Sequence, residues 1–193
     1  MISLVLILKN LNKENLRRSF LAKRLSYSKN SLNKLNKIII NNLLSDSYLQ
    51  SCKHICGYQP FKNEVDITVL YEILLKKNIN LYFPKIIKNS INLVQIKSLK
   101  TDFSDGYCCI KEPKENHFVN PNVIECFLVP GIVFDVRGFR LGFGKGFYDQ
   151  LLHGVDAVKY GIAYKFQIIK YLSNDTWDIK LNKIFSEELL TPH

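Results

Sequence analysis

The sequence predicts an α/β fold in which a central, mainly parallel sheet is flanked by helices. From residue 54 onward, short apolar runs alternate with segments of helical periodicity, which is the pattern of strand–helix–strand units. The run 125–134 is apolar at nearly every position, which is typical of a strand covered on both faces. The 193 residues, 47% of them apolar, suit one domain with one sizeable core.

Two helices are predicted at the start of the chain. Apolar residues recur at helical spacing through Leu16, Phe20 and Leu25, and Asn12 can cap the start of this first helix. The serine-rich stretch 26–31 interrupts the spacing, which then resumes up to Leu49 as a second helix.

The first residues, Met1–Leu8, are apolar but too few for a membrane-spanning helix. They lack the basic region and the cleavage site of a signal peptide. We therefore expect an extra strand or an irregular lead-in here, with residues 1–10 as an added N-terminal segment of one domain that spans 1–193.

The remaining elements follow from apolar runs bounded by turn residues. The stretch 100–120 is rich in loop-forming residues, and a turn at 173–175 precedes alternating residues near the end of the chain. Helices are expected at 66–77 and from Phe147 to Leu152, and strands at 54–58, 81–84, 91–96, 125–134 and 158–164.

Charge and cysteine content limit the function classes. The net charge of +10 favours an anionic partner, which could be nucleic acid, a membrane surface or an anionic small molecule. The lysines are scattered, however, so charge alone gives little support to nucleic-acid binding. The five cysteines are a poor disulfide framework and lack zinc-site spacing, so we expect free thiols and a cytoplasmic protein; they are Cys52, Cys56, Cys108, Cys109 and Cys126.

The segment Arg140–Asp149 carries the strongest chemical signal. Three of its residues are glycines, which let the backbone approach an anion closely, and the following helix start adds free N–H groups. Arg140 and Lys145 add full positive charges, and Asp149 among phosphates makes sense if it holds a Mg²⁺. The spacing is not that of a Walker A loop, and Phe147 replaces the third glycine of the dinucleotide fingerprint. The residues indicate an anion-binding loop, with a tightly packed glycine turn as the alternative.

This segment resembles the signature of the 5-formyltetrahydrofolate cyclo-ligase family, which is also called 5,10-methenyltetrahydrofolate synthetase. The resemblance extends over nearly the whole chain, in the order of the family's motifs. The similar segments are Lys13-x-x-x-Arg17, Tyr58-Gln59-Pro60, Asn63-Glu64-Val65-Asp66, Pro84-Lys85, Glu112-Pro113, 129–135, 138–149, 161–164 and 177–179. The resemblance implies a three-layer α/β fold.

The resemblance also implies an ATP site. Lys13 and Arg17 would contact ATP phosphates from the first turn of the first helix, whereas without the resemblance a solvated basic face is the simpler interpretation. Asp149 and Asp178 would hold Mg²⁺, although Asp178 could equally be an exposed acid beside a turn. Arg140 and Lys145 would be catalytic within a phosphate-binding loop formed by Arg140, Leu141, Gly142, Phe143, Gly144, Lys145, Gly146, Phe147 and Tyr148.

A folate site is the second implication of the resemblance. Glu64 would bind the pterin, since a carboxylate can accept two hydrogen bonds at once, and Gln59, Phe147 and Tyr148 would line the same pocket. An acid that stabilises a helix N-terminus is the alternative interpretation of Glu64. Two departures from the family are Phe147, where relatives have tyrosine, and Asn182, where many have an acid that could support the metal.

The implied reaction is the ATP- and Mg²⁺-dependent closure of 5-formyltetrahydrofolate to 5,10-methenyltetrahydrofolate, with ADP and phosphate released. The implied partners are ATP and the folate, possibly polyglutamylated, with no nucleic acid, no membrane and a monomeric chain. Two alternatives stay open: a family-like ATP-binding protein with another substrate, and a basic nucleic-acid-binding protein.

Overall fold

The computed structural model describes residues 2–88, 90–106 and 110–188, with side chains from Asn12 onward. The chain begins with helices α1 (Ile2–Ser26), α2 (Lys29–Leu44) and α3 (Ser47–Ser51). The break between the two predicted helices is where it was expected. The second predicted helix, which was to run to Leu49, is divided after Leu44 into α2 and α3, because the Asp46 side chain caps a new helix by accepting the Leu49 amide at 3.0 Å. Ser28 caps α2, because its hydroxyl accepts a hydrogen bond from the Ser31 amide at 3.2 Å.

The expectation for the N-terminal segment was wrong where the structure describes it. Residues 2–8 are neither a strand nor a lead-in but the start of α1, and Met1 lies outside the described residues. No glycine or proline occurs between Ile2 and Ser26, so no backbone feature stops the helix before Asn12. Asn12 therefore lies inside α1 instead of capping it, and Lys13 lies in the middle of the helix rather than in its first turn.

A seven-stranded sheet forms the centre of the molecule. Its strands are β1 (His54–Cys56), β2 (Asn80–Ile87), β3 (Ser90–Ile96), β6 (Phe118–Val119), β7 (Cys126–Val129), β10 (Val158–Ile162) and β12 (Lys183–Phe185). They lie in the order β12-β10-β7-β1-β2-β3-β6. All neighbours from β12 to β2 pair in parallel, and β3 pairs with β2 and β6 in antiparallel fashion, which confirms the mainly parallel sheet.

Helices cover both faces of this sheet. On one face α2 and α4 (Thr68–Lys76) pack on the strands, and on the other face α5 (Phe147–Leu152) does so. Strand β7 shows this best, because Cys126 and Leu128 belong to the first apolar cluster whereas Phe127 and Val129 belong to the second. Successive side chains of a strand point to opposite faces, so β7 is buried on both sides. The arrangement is the expected three-layer α/β fold.

The run 125–134 is two strands and not one, so that prediction was wrong. Strand β7 ends at Val129, and β8 (Val133–Asp135) joins a separate sheet between β11 (Ile168–Ile169) and β9 (Arg140–Leu141). Pro130 lacks the amide hydrogen that would continue the ladder. Gly131 allows a close approach, since a Cβ atom there would lie 2.7 Å from the Phe134 ring. The chain bends at this point and leaves the main sheet.

Some expectations concern residues in loops. The loop-rich stretch 100–120 contains the small strands β4 (Phe103–Asp105) and β5 (Lys111–Pro113) as well as β6.

Cys52, Cys56 and Cys126 are free thiols, and Cys108 and Cys109 lie outside the described residues. Within the described part of the chain, no helix combines the length and the apolar character needed to cross a membrane.

Candidate active site

A cavity of about 1020 Å³ opens at the carboxyl ends of β1 and β7. In the sheet β2 lies on one side of β1 and β7 lies on its other side. The chain therefore extends the sheet in one direction from β1 and in the opposite direction from β7. Such a switch point is where α/β sheets bind ligands. Every site residue predicted from the sequence lines this cavity: Lys13, Arg17, Gln59, Glu64, Arg140, Leu141, Gly142, Phe143, Gly144, Lys145, Gly146, Phe147, Tyr148, Asp149 and Asp178.

The glycine-rich loop connects β9 to α5 along one wall of the cavity. Gly144 has a φ of 93° and Gly146 a φ of 67°, both in the left-handed region that favours glycine. A Cβ atom at Gly144 would also lie 3.4 Å from the guanidinium carbon of Arg17. The glycines are therefore required for the shape of the loop, which leaves residues 143–146 exposed to the cavity.

Helix α1 contributes two cations to the site. The Arg17 Nε atom donates to the Gly142 carbonyl at 3.0 Å, so this arginine supports the glycine-rich loop directly. Lys13 lies one turn earlier, and its Nζ atom is 2.7 Å from Asp175 and 3.4 Å from Asp178. Both side chains are largely shielded from solvent, which contradicts the alternative of a solvated basic face. Asp178 is likewise not a freely exposed acid.

Arg140 lines the cavity and has one buried donor without a partner among the described residues. Its Nη2 atom donates to Asp149 at 3.0 Å, and its guanidinium lies over the Tyr148 ring at 5.3 Å. The side chain is only 5% exposed, and its buried Nε–H has no hydrogen-bond partner among the described residues. An unsatisfied buried donor on a cation is costly, so the hydrogen bonds of Arg140 are incomplete in this structure.

The two predicted metal ligands are each paired with a cation in this structure. Asp149 pairs with Arg140, and Asp178 pairs with Lys13 and accepts the Asp175 amide at 2.7 Å. The described residues contain no cluster of three or more histidine, cysteine or acidic side chains that could hold a metal alone. Asp149 and Asp178 do line the same cavity as the glycine-rich loop, and carboxylates are ligands that fit Mg²⁺, which usually takes one or two of them together with phosphate oxygens.

Glu64 is a buried carboxylate on the loop between β1 and α4, with 7% of the residue exposed. Burial raises its pKa from 4.5 to about 7, and the charge of Arg24 and the hydrogen bond from the Phe61 amide partly offset this effect. Helix α4 begins only at Thr68, so Glu64 is not in its first turn, and the interpretation as a helix-stabilising acid was wrong.

Apolar and aromatic side chains form the remaining walls. Phe61 and Phe143 lie with their ring centres 5.6 Å apart, and the Lys62 ammonium lies over both rings. These contacts connect the Glu64 loop with the glycine-rich loop. Further apolar lining comes from Phe83, Pro84, Ile86, Ile91, Ile110 and Trp177.

Sequence reasoning missed Arg24, Asp175 and the aromatic pair Phe61–Phe143. Arg24 follows Arg17 by seven residues, or about two helical turns, so helical spacing could have placed it on the same face. Asn182, which stands where many relatives have an acid that could support the metal, does not line the cavity. Its Oδ1 atom accepts a hydrogen bond from the Lys159 amide at 2.8 Å, so Asn182 connects the residues just before β12 to β10.

Comparisons of the sequence and of the fold with known proteins all point to the same family. Residues 9–187 match the model of the 5-formyltetrahydrofolate cyclo-ligase family. The chain is similar to the 5-formyltetrahydrofolate cyclo-ligase of Mycoplasma pneumoniae, with 34% identity over 182 residues that cover 92% of this chain and 100% of the relative.

Two solved structures are similar in fold and sequence. The first is the NMR structure of 5,10-methenyltetrahydrofolate synthetase from Aquifex aeolicus, with a TM-score of 0.83, 38% identity, and coverage of 92% of this chain and 90% of that one. The second is a 5,10-methenyltetrahydrofolate synthetase from Mycoplasma pneumoniae, with a TM-score of 0.76, 31% identity, and coverage of 91% and 99%.

Proposed function

Because the chain belongs to the 5-formyltetrahydrofolate cyclo-ligase family, we propose that it converts 5-formyltetrahydrofolate into 5,10-methenyltetrahydrofolate with ATP and Mg²⁺. The observation that carries this proposal is the set of residues that line the cavity beside the glycine-rich loop. A glycine-rich loop with cations lies on one wall, and the buried carboxylate Glu64 lies on another. The volume of about 1020 Å³ is at the upper end for one drug-sized ligand and therefore suits two substrates.

The ATP phosphates would lie against the glycine-rich loop. Lys145 is exposed there, and Arg140 lines the cavity as a second cation of the loop. Lys13 and Arg17 face the same region from α1. Bound Mg²⁺ would neutralise phosphate charge, and Asp149 and Asp178 would hold it together with phosphate oxygens.

The folate would occupy the other part of the cavity. The ionised Glu64 would accept two N–H groups of the pterin, an arrangement that a planar carboxylate suits. Gln59, Phe147 and Tyr148 would line this subsite, and the apolar wall would receive the rings. Phe147 still offers a ring for packing, although it lacks the hydroxyl of a tyrosine. The net charge of +10 then favours the substrate's carboxylates, with or without a polyglutamate tail.

The reaction would transfer the terminal phosphoryl group of ATP to the formyl oxygen and leave ADP. The resulting iminium phosphate would be attacked at its carbon by the second folate nitrogen, and the C–O bond would break to release phosphate as the ring closes. The residues in this scheme position two substrates and stabilise charge, and none forms a covalent bond. Arg140 and Lys145 are the residues assigned to the transferring group.

The test uses the purified chain with Mg-ATP and 5-formyltetrahydrofolate. We expect methenyl absorbance to rise with one ADP formed per product, and both signals to require the folate and the metal. ATP binding without any methenyl product would instead favour a family-like protein with another substrate. Binding to RNA or DNA that falls steeply with salt would favour the nucleic-acid alternative.

The remaining proposals concern the state of the protein. We propose a monomer of one domain over residues 1–193, acting in the cytoplasm without nucleic-acid or membrane partners. The three free, buried cysteines among the described residues support a reducing compartment.

A further inference from the structure

Arg24 of α1 is completely buried, which is rare for an arginine. Its guanidinium donates to the Lys62 carbonyl at 2.9 Å, the Gly131 carbonyl at 2.9 Å and the Phe61 carbonyl at 3.4 Å. Its Nη2 atom also lies 3.8 Å from Glu64 Oε1. Four partners therefore surround this one charge, and three of them belong to the loop that carries Glu64.

That loop contains a strained turn immediately before Glu64. Lys62 has a φ of 47° and Asn63 a φ of 59°, both in the left-handed region that side-chain-bearing residues seldom occupy. The Glu64 amide donates to the Phe61 carbonyl at 3.0 Å, and Glu64 Oε2 accepts the Phe61 amide at 3.1 Å. Such a backbone persists where surrounding contacts determine it, and Arg24 supplies two of these contacts through the carbonyls of residues 61 and 62.

The charge of Arg24 also offsets the effect of burial on the ionisation of Glu64. The titratable groups that interact with Glu64 are Arg24 from α1, Tyr58 from the same loop, Tyr71 from α4 and Tyr148 from α5. Burial raises the pKa values of the three tyrosines well above 10, so they stay neutral near pH 7. The positive charge that favours the ionised form of Glu64 therefore comes from Arg24.

We propose that Arg24 is a positioning residue for folate binding: it holds the turn 61–64 in shape and supplies the charge that keeps Glu64 a carboxylate. This inference rests on the proposed function, since it takes the pterin to be the partner of Glu64. Only the ionised carboxylate accepts two hydrogen bonds from the pterin, and a protonated one would offer a donor where the pterin also donates. Arg24 touches neither substrate in this scheme and acts through Glu64.

The test measures kcat/KM for 5-formyltetrahydrofolate from about pH 6 to about pH 9, because this ratio reports groups of the free enzyme. In the wild type, kcat/KM should decrease as the pH falls through about 7, where Glu64 takes up a proton. This decrease appears as a bend in the pH profile of kcat/KM. In Arg24→Met the bend should move to a pH that is higher by about one unit or more, so that kcat/KM at acidic pH is roughly tenfold lower than in the wild type. Raising the pH should restore only the part of the loss that comes from the missing charge, so that at alkaline pH Arg24→Met keeps the deficit caused by the lost carbonyl contacts. The KM for ATP should change by less than about twofold.

Three further variants sharpen the result. Arg24→Lys keeps the charge, so its bend should stay at the wild-type pH although lost carbonyl contacts lower the whole curve. Arg24→Gln removes the charge and keeps an amide donor, and it carries the same test should Arg24→Met fail to fold. Arg18→Met is the matched control, because Arg18 is an exposed arginine of the same helix, and it should behave as the wild type.

Two outcomes would overturn the inference. One is a loss in Arg24→Met or Arg24→Gln that is the same at every pH, which would mean that Arg24 only supports the fold. The other is an upward shift of the bend in Arg24→Lys as large as in the uncharged variants. Either outcome requires an active wild type, so it differs from failure of the proposed function, in which the wild type itself yields no methenyl product.

Discussion

Replacing Glu64 with glutamine should change how the stability of the protein depends on pH. Burial raises the pKa of this carboxyl from 4.5 to about 7, and each unit corresponds to about 1.4 kcal/mol. A group whose pKa is higher in the folded chain contributes stability that is complete below about pH 4.5 and is lost as the pH rises through about 7. The ionised Glu64 therefore costs the folded state about 3 kcal/mol at alkaline pH, a cost that the glutamine does not carry.

The assay is urea unfolding of the wild type and of Glu64→Gln at a series of pH values. Between about pH 5 and about pH 8 the wild type should lose about 2.5 kcal/mol relative to the variant, because other groups titrate alike in both and cancel. Glu72→Gln is the control, since Glu72 is an exposed glutamate of α4 and its curve should follow the wild type. If the Glu64→Gln curve runs parallel to the wild type within about 0.5 kcal/mol, burial does not raise the pKa of Glu64 in the folded protein.

Three further predictions concern other parts of the structure. Tyr71→Phe removes a buried hydroxyl that accepts the Tyr58 amide and donates to the Tyr58 carbonyl, both at 2.9 Å, so urea unfolding should show a loss of about 3 kcal/mol. Gly144→Ala introduces a side chain at a φ of 93° beside Arg17, which should cost about 2 kcal/mol and raise the KM for ATP with little effect on the KM for folate. Lys145→Ala should leave the melting temperature unchanged but lower the rate of methenyl formation about a hundredfold, whereas Lys37→Ala, on the exposed face of α2, should not; full activity of Lys145→Ala would mean that the loop is purely structural.

Local sequence patterns predicted many of the helices and strands, because the start of a helix and the burial of a strand depend largely on neighbouring residues. The helix from Phe147 to Leu152 has the predicted bounds, since glycines end the preceding loop and apolar residues follow at helical spacing. The strands near residues 54, 81, 91 and 158 were also found from short apolar runs. Strand order and direction depend on which runs meet in space, and the sequence pattern does not contain that information.

The errors lie where a distant contact decides the outcome. The run 125–134 is apolar throughout, yet it belongs to two sheets because Pro130 ends the ladder and Gly131 packs on Phe134. In the site, the glycine-rich loop could be recognised from its own residues. The buried partner of Glu64 could not be recognised in this way, because Arg24 lies 40 positions away in the sequence. The residues next to Arg24 only show that it is one of several cations in a basic helix.

The contacts of α1 with the rest of the site have a consequence for how the protein is made. Arg24 bonds to Gly131, Arg17 to Gly142 and Lys13 to Asp175, which are separations of 107, 125 and 162 residues. During synthesis this helix leaves the ribosome before these partners, which follow only after at least 107 further residues have been translated. A nascent chain can therefore form local helices early, but it acquires a complete site only after Asp178 has been translated.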